Sequence, residues 1–431
     1  MKRIFKALCY GLTGVFLVTL LGVAIHLKSP YLFAFRSYET PFLLLITFTL
    51  ILIYFFKAQG IHRFLGLMIL SAVLFFTVLG ECSFQYHRHT VMNMDTAAAN
   101  RLGRHFVVGY EDVEALKPLI LQGLIGGVFV TRRNTYGKNF ESLRQEIAAL
   151  QHLRMDAGLR PLIIATDQEG GIVSHLSPPL ERMLPLASVI EESNTNEALI
   201  VNAQTYGEIQ GQALAILGIT VNLSPVVDLK SEHASGLLDF HSLISQRAIS
   251  SDPNITTAVG NAYVRGLKNQ GVLATLKHFP GLGRVNDDTH HFSASLDTTP
   301  NELEQTDWLP FREIAYQSDA LLMIGHVILT AVDQKNPASF SKEVIQGIIR
   351  EGWQHNGILI TDDMTMRAAY KHGFCNATVN ALNAGMDFLL VSYDYEKFYE
   401  MMYCAAQAYQ NGQLESRMLE LSNARMIRFL P

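Results

Sequence analysis

A histidine two residues after an aspartate can serve as general acid and base, because the carboxylate fixes the imidazole tautomer and raises its basicity. Asp288 and His290 have that spacing. They lie in the segment Lys277-His278-Phe279-Pro280-Gly281-Leu282-Gly283-Arg284-Val285-Asn286-Asp287-Asp288-Thr289-His290-His291, which leaves an apolar run with two basic residues and then turns through proline and two glycines. Such a loop can move, with Gly281 and Gly283 as its candidate hinges. A second segment, Ile360-Thr361-Asp362-Asp363-Met364, ends an apolar run in two acids. A carboxylate at that place can attack an electrophilic carbon and form a covalent intermediate. Asp362 is the better nucleophile, and Asp363 suits the N-cap of a helix over residues 364–370. In a third segment, Ala165-Thr166-Asp167-Gln168-Glu169-Gly170-Gly171, Asp167 can accept hydrogen bonds from sugar hydroxyls or serve a turn. His278, Asp288, His290, His291 and Asp362 are also metal-ligand types, which makes a metallohydrolase the rival chemistry. These candidates contain no His-x-His or His-x-x-x-His pair, and Lys277 would set a positive charge beside an ion. Neither a metal nor another cofactor is therefore expected.

Bringing three distant segments to one place requires a scaffold. Eight short apolar and β-branched runs recur, at 105–109, 127–130, 162–165, 220–223, 273–276, 320–324, 358–360 and 388–391. Between them, residues 140–153, 202–217, 255–269 and 342–353 have helical spacing. Strands buried on both faces read as continuous apolar runs, so this alternation predicts an α/β fold, either an open doubly wound sheet or a (β/α)8 TIM-type barrel. The polar residues favour the barrel. Asp167 follows the third run, residues 224–228 the fourth, Lys277 and His278 the fifth, His326 the sixth, and Asp362 and Asp363 the seventh. Side chains from the C-terminal ends of many strands converge when the strands close into a ring.

The first 81 residues are different. They hold nine charged residues, clustered so that residues 7–27, 40–56 and 64–80 are uncharged. Each gap is long enough for a membrane helix. A cleaved signal peptide would also suit the first, but two more follow. The expected organisation is a membrane anchor of about three transmembrane helices over 1–81, a linker over 82–96 and a catalytic barrel over 97–431. Lys2, Arg3, Lys6, Lys57 and Arg63 fall on one side of such an anchor and Lys28 and Arg36 on the other. This bias puts the N-terminus in the cytoplasm and the barrel in the periplasm or outside the cell. The net charge of −5, from 34 basic and 39 acidic residues, offers no surface for nucleic acid. Four cysteines are too few for a disulfide scaffold, although Cys375 and Cys404 could bridge in an oxidising compartment.

Taken together, the three segments resemble glycoside hydrolase family 3, in its β-N-acetylglucosaminidase (β-hexosaminidase) subgroup. Asp167 to Gly171 match its Asp-Gln-Glu-Gly-Gly stretch, Lys277 to His290 its Lys-His-Phe-Pro-Gly-x-Gly…Asp-Ser-His loop, and Thr361 to Asp363 its Ser-Asp-Asp nucleophile strand. Ser224-Pro225-Val226-Val227-Asp228, Arg247 with Asp252-Pro253, and Gly325-His326-Val327 match further, all in the family's order. The resemblance covers about residues 97–431 and implies Asp362 as nucleophile, His290 as acid/base and Asp288 as its partner. It also implies that Asp167, Arg247, Lys277 and His278 hold the sugar.

A single barrel with an Asp-x-His loop implies a substrate with terminal N-acetylglucosamine, in bacteria a peptidoglycan fragment. The chain departs from the family at Ile172 and His175, where arginine is usual, and at Leu282, where histidine is common. The second of those arginines commonly contacts substrate, so His175 is a candidate sugar contact. A phosphorylase on the same fold and a catalytically degenerate glycan-binding membrane protein are the alternative readings.

Overall fold

A computed structural model describes residues 2–230, 243–285 and 294–429, with side chains from residue 10 onward. The chain divides into two compact units, Met1–Asn93 and Met94–Pro431.

The first unit holds three helices, Lys2–Ile25, Glu39–Lys57 and Gly60–Met92. Leu17, Leu20, Ala24 and Leu27 of the first segment pack with Leu43 of the second helix and Leu70 and Val73 of the third. The outward positions are apolar too: Phe42, Leu45, Phe56, Phe64 and Phe75 are all exposed. Two of the helices, Glu39–Lys57 and Gly60–Met92, are long and apolar enough to cross a membrane, whereas the described apolar stretch of the first, Tyr10–Ile25, is shorter. The third helix runs on to Met92, through most of the stretch expected to be a linker. Residues 81–92 contain neither proline nor glycine to stop it. Polar groups meet at one end of this bundle. Lys28 pairs with Glu39 at 3.3 Å and Glu81 at 3.2 Å, Arg36 pairs with Glu39 at 2.8 Å, and Thr40 donates to Glu81 at 2.8 Å.

The second unit is a closed barrel of eight parallel strands, each bonded to its sequence neighbours. They are β1 (Phe106–Gly109), β2 (Gly127–Val130), β3 (Ile163–Thr166), β4 (Val221–Asn222), β5 (Leu273–Phe279), β6 (Leu321–Ile324), β7 (Leu359–Asp363) and β8 (Phe388–Val391). β1 closes the ring on β8, with Val107 opposite Leu390. Alternate residues fill the interior, among them Val107, Phe129, Ala165, Val221, Met323 and Ile360. Several of the intervening helices start where short polar side chains satisfy free backbone N–H groups. Asn139 caps Phe140–Asp156, Thr195 caps Asn196–Leu217, and Asp252, followed by Pro253, caps Pro253–Asn269. The stretch expected to be helical at 342–353 is a π-helix, Glu343–Gly352.

Two strands run past their expected ends. β5 reaches Phe279 with a register shift against β6 between Leu276 and Phe279, and β7 reaches Asp363 with a shift against β8 between Ile360 and Asp363. Such irregularities re-aim side chains at a barrel rim, so Lys277, His278, Asp362 and Asp363 are strand residues rather than loop residues. Cys375 and Cys404 form a disulfide that joins helix Phe374–Ala384 to helix Lys397–Gln410, with the Cα atoms 5.0 Å apart.

At the opposite, N-terminal end of the strands, His105 is fully buried, with Nδ1 2.9 Å from the Asp387 carbonyl. Burial drives its pKa down to about 4, against the opposing pull of Asp387 and with help from Arg104 and Arg425. An unfolded histidine takes up a proton near pH 6.5, so between 6.5 and about 4 the unfolded chain binds a proton that the folded one refuses. Stability is therefore expected to fall as pH drops through that window, by about 3 kcal/mol for this residue. Thermal unfolding scanned from pH 7 to 4 checks this: His105→Gln should flatten the decline, leaving the part due to His355, whose pKa burial also lowers to about 4, and to His175 and His326, which burial shifts in the same direction.

Candidate active site

The C-terminal ends of the strands surround a cavity of about 140 Å³. It gathers Asp167, His175, Arg247, Lys277, His278 and Asp362, six of the residues singled out from the sequence, with Tyr393 added after β8. Asp288 and His290 lie outside the described residues.

The loop after β3 carries the acidic half of the site. A short hairpin pairs Gln168–Gly170 with Val173–Ser174. Gly170 and Gly171 turn it at φ +92° and +62°, and a Cβ on Gly170 would stand 2.1 Å from the Tyr206 hydroxyl, so only glycine fits there. The hairpin is fixed from beneath by side-chain amides. Asn222 accepts from the Gln168 N–H at 3.0 Å and donates to the Gln168 carbonyl at 2.8 Å, while Gln168 donates to Ser177 at 2.8 Å.

This loop delivers Asp167 and Glu169 to the basic residues of β5 and the loop after β4. Lys277, 2% exposed, donates to Asp167 and lies 2.6 Å from Glu169. Arg247 holds the same Glu169 in a two-pronged pair, Nε at 2.9 Å and Nη2 at 2.7 Å. Burial alone would raise the Glu169 carboxyl, but Arg247 and Lys277 hold it at about 2. Burial would likewise lower the Lys277 ammonium, yet Asp167 and Glu169 keep its pKa above the ordinary value. Glu169, Arg247 and Lys277 are thus all held in their charged forms.

His278 is oriented by Asp228, which follows β4. Nδ1 donates to Asp228 Oδ2 at 2.7 Å, and the backbone N–H groups of His278 and Leu282 bind the same carboxylate at 3.0 and 2.8 Å. Nε2 is left as the acceptor, 3.4 Å from Arg247 Nη2. His175 lies against Phe129 with its Nδ1 buried and without a hydrogen bond, and burial keeps it neutral by lowering its pKa, against the pull of Asp167.

The two acids of β7 divide their work. Asp363 is buried, and its carboxylate accepts from the backbone N–H groups of Thr365, Ser392 and Tyr393 at 2.9, 3.2 and 3.3 Å and from the Thr365 hydroxyl at 2.9 Å. The helix it was expected to cap begins only at Arg367 and has no side-chain cap. Asp363 instead ties the end of β7 to the end of β8. Asp362 is half-buried on the cavity wall, with Oδ1 accepting from the Asp363 N–H at 2.8 Å. Behind it, His326 lies 3.1 Å from the Asp363 carbonyl and 2.7 Å from the Ser339 hydroxyl.

Glu169, Asp228 and Asp363 were not read as site residues from the sequence, although all three stand in the matched segments. The signal was available for Glu169: two cations at the same end of the barrel need more negative charge than Asp167 supplies. Among the described residues, no group of three or more His, Cys, Asp or Glu side chains is arranged to hold a metal ion. What the arrangement can do is bind a neutral polyol through Asp167, Arg247, Lys277 and His278, with the Asp362 carboxylate on the same cavity.

Comparison with known proteins agrees with this geometry. The pattern that defines the glycosyl hydrolase family 3 N terminal domain matches residues 94–429. A beta-hexosaminidase from Tolumonas auensis is 35% identical over 269 residues, 62% of this chain and 75% of that protein. One from Nitrosomonas eutropha is 31% identical over 284 residues, 65% of this chain and 77% of that protein. Among solved structures, a glycoside hydrolase family 3 beta-N-acetylglucosaminidase from Paenibacillus sp. superimposes with a TM-score of 0.70 at 27% identity, over 77% of this chain. The matched part spans 61% of the Paenibacillus protein, less than two thirds of its length.

Removing the charge from Glu169 leaves Lys277 and Arg247 with Asp167 as their remaining partner in the group. Glu169→Gln is expected to destabilise the protein by about 3 kcal/mol at neutral pH, read as a fall in the thermal midpoint. The pH dependence carries the same signature. A depressed carboxyl contributes stability above its unfolded pKa of about 4.3 and loses it as pH falls toward about 2. That acid limb should be present in the parent protein and missing in the variant.

Proposed function

The chain belongs to the family 3 glycosyl hydrolases, and from that premise we propose that it is a retaining β-N-acetylhexosaminidase. It removes terminal β-linked N-acetylglucosamine from glycans, and peptidoglycan fragments are the substrate class its barrel and Asp-x-His loop suit. The observation that carries this reading is the convergence of Asp362 with Asp167, Arg247, Lys277 and His278 on one cavity.

In the proposed reaction, the sugar hydroxyls bind Asp167, Arg247, Lys277 and His278. The Asp362 carboxylate attacks the anomeric carbon while His290 gives its proton to the departing oxygen, leaving a glycosyl-aspartate. His290, now neutral, takes a proton from water, whose oxygen displaces Asp362 and restores the original configuration. Asp288 keeps the His290 imidazole in the required tautomer. An ordinary histidine pKa of about 6.5 suits both transfers near neutrality.

The N-terminal unit is read as a three-helix membrane anchor. Its apolar outer surface supports that assignment, as does the packing of the first helix with the other two. Lys28 and Arg36, the positive charges that count against an outward-facing barrel, are paired with Glu39 and Glu81. The Cys375–Cys404 bridge fits the oxidising space such an orientation provides.

Purified protein should hydrolyse a chromogenic β-N-acetylglucosaminide, and Asp362→Ala should lower kcat by at least about 10³-fold with its thermal midpoint kept. Proton NMR of the first-formed sugar should show the β-anomer, and added phosphate should yield no sugar 1-phosphate. Turnover surviving in Asp362→Ala, or an α-anomer appearing first, would refute the assignment.

A further inference from the structure

A second cavity, of about 250 Å³, lies at the N-terminal ends of the strands and shares no lining residue with the first. Its apolar wall is made by Ile163, Val221, Leu273 and Phe388 from the strand starts and Met426 from the helix Ser416–Phe429. Arg104, Arg154 and Arg160 also line it, and no carboxylate does so among the described residues.

The basic groups are built in. Arg154, 6% exposed, donates Nε to the Arg160 carbonyl and Nη1 to the Ile120 carbonyl, both at 3.0 Å. Arg104 donates Nε to the Asn100 carbonyl at 2.8 Å and Nη1 to the side-chain oxygen of Asn423. All four acceptors are neutral. Burial depresses both guanidinium groups, with Arg104 acting further on Arg154, and Arg101 and Arg160 on Arg104. Like charges held together beside a low-dielectric wall favour an anion in the space they enclose. The wall in turn favours an aliphatic group.

We propose that this cavity binds an amphiphilic anion, a phosphate or carboxylate head on an aliphatic chain, with its head between Arg104 and Arg154 and its chain along Leu273, Phe388 and Met426. The ligand is either a lipid of the bilayer or a soluble metabolite of the same chemistry. Calorimetric titration of the full chain in phosphatidylcholine bilayers tests this. Hexyl phosphate is expected to bind saturably, at least about tenfold more tightly than inorganic phosphate or hexanol. Arg104→Gln should weaken hexyl phosphate about tenfold, and Met426→Trp, which fills the apolar end, should weaken it comparably, while both variants turn over a chromogenic glycoside at the parent rate. Absence of saturable binding, equal affinity for inorganic phosphate, or affinity unchanged in both variants would overturn the proposal. Bilayers containing phosphatidylglycerol, at high salt to screen the surface potential, separate the two sources. Weaker apparent binding of hexyl phosphate there supports a lipid occupant, and unchanged binding supports a soluble one.

Discussion

Two cations and two carboxylates meet at the C-terminal end of the barrel, largely out of water, and much of that end is arranged to keep them paired. Lys277 is enclosed between Asp167 and Glu169, and Glu169 also carries Arg247. Desolvating such groups costs several kcal/mol each unless their partners are in place. The pairing therefore constrains three stretches of chain at once: the hairpin after β3, the bulged end of β5 and the loop that carries Arg247. None can shift without leaving a charge exposed to a poor solvent. A cluster held in this way is pre-organised, which is what an oriented binding surface requires.

Much of this was legible in the chain itself. All eight strands fall where short apolar runs predict them, because a strand enclosed by barrel interior and helices has no polar face to interrupt it. The polar residues that line the C-terminal cavity were legible for a related reason. Polar side chains such as Lys277 and Asp362 stand out where an apolar run ends, and a ring of parallel strands sends every such end to the same mouth.

What was not legible depends on pairings between distant residues. The extension of β5 to Phe279 and β7 to Asp363 follows from register shifts against neighbouring strands, which no local pattern records. Asp363 looks like a helix cap when its own neighbours alone are considered. Its ladder of donors comes from Ser392 and Tyr393, 29 and 30 residues away. Asp228 is similar, since its value lies in the three N–H groups that β5 and its turn present to it. Apolar spacing reports burial, and it carries no information about which buried acceptor meets which donor.

The bridge between Cys375 and Cys404 links the helices that follow β7 and β8, across a sequence separation of 29 residues. Cross-linking a loop of that size removes about 3–4 kcal/mol of disorder from the unfolded chain, a large fraction of the total stability of an ordinary domain. Neither cysteine lines the C-terminal cavity, so reduction would leave that lining in place while shortening the lifetime of the fold around it. The same polypeptide made in a thiol-rich compartment would be an equally competent but more perishable catalyst, its endurance set by redox history.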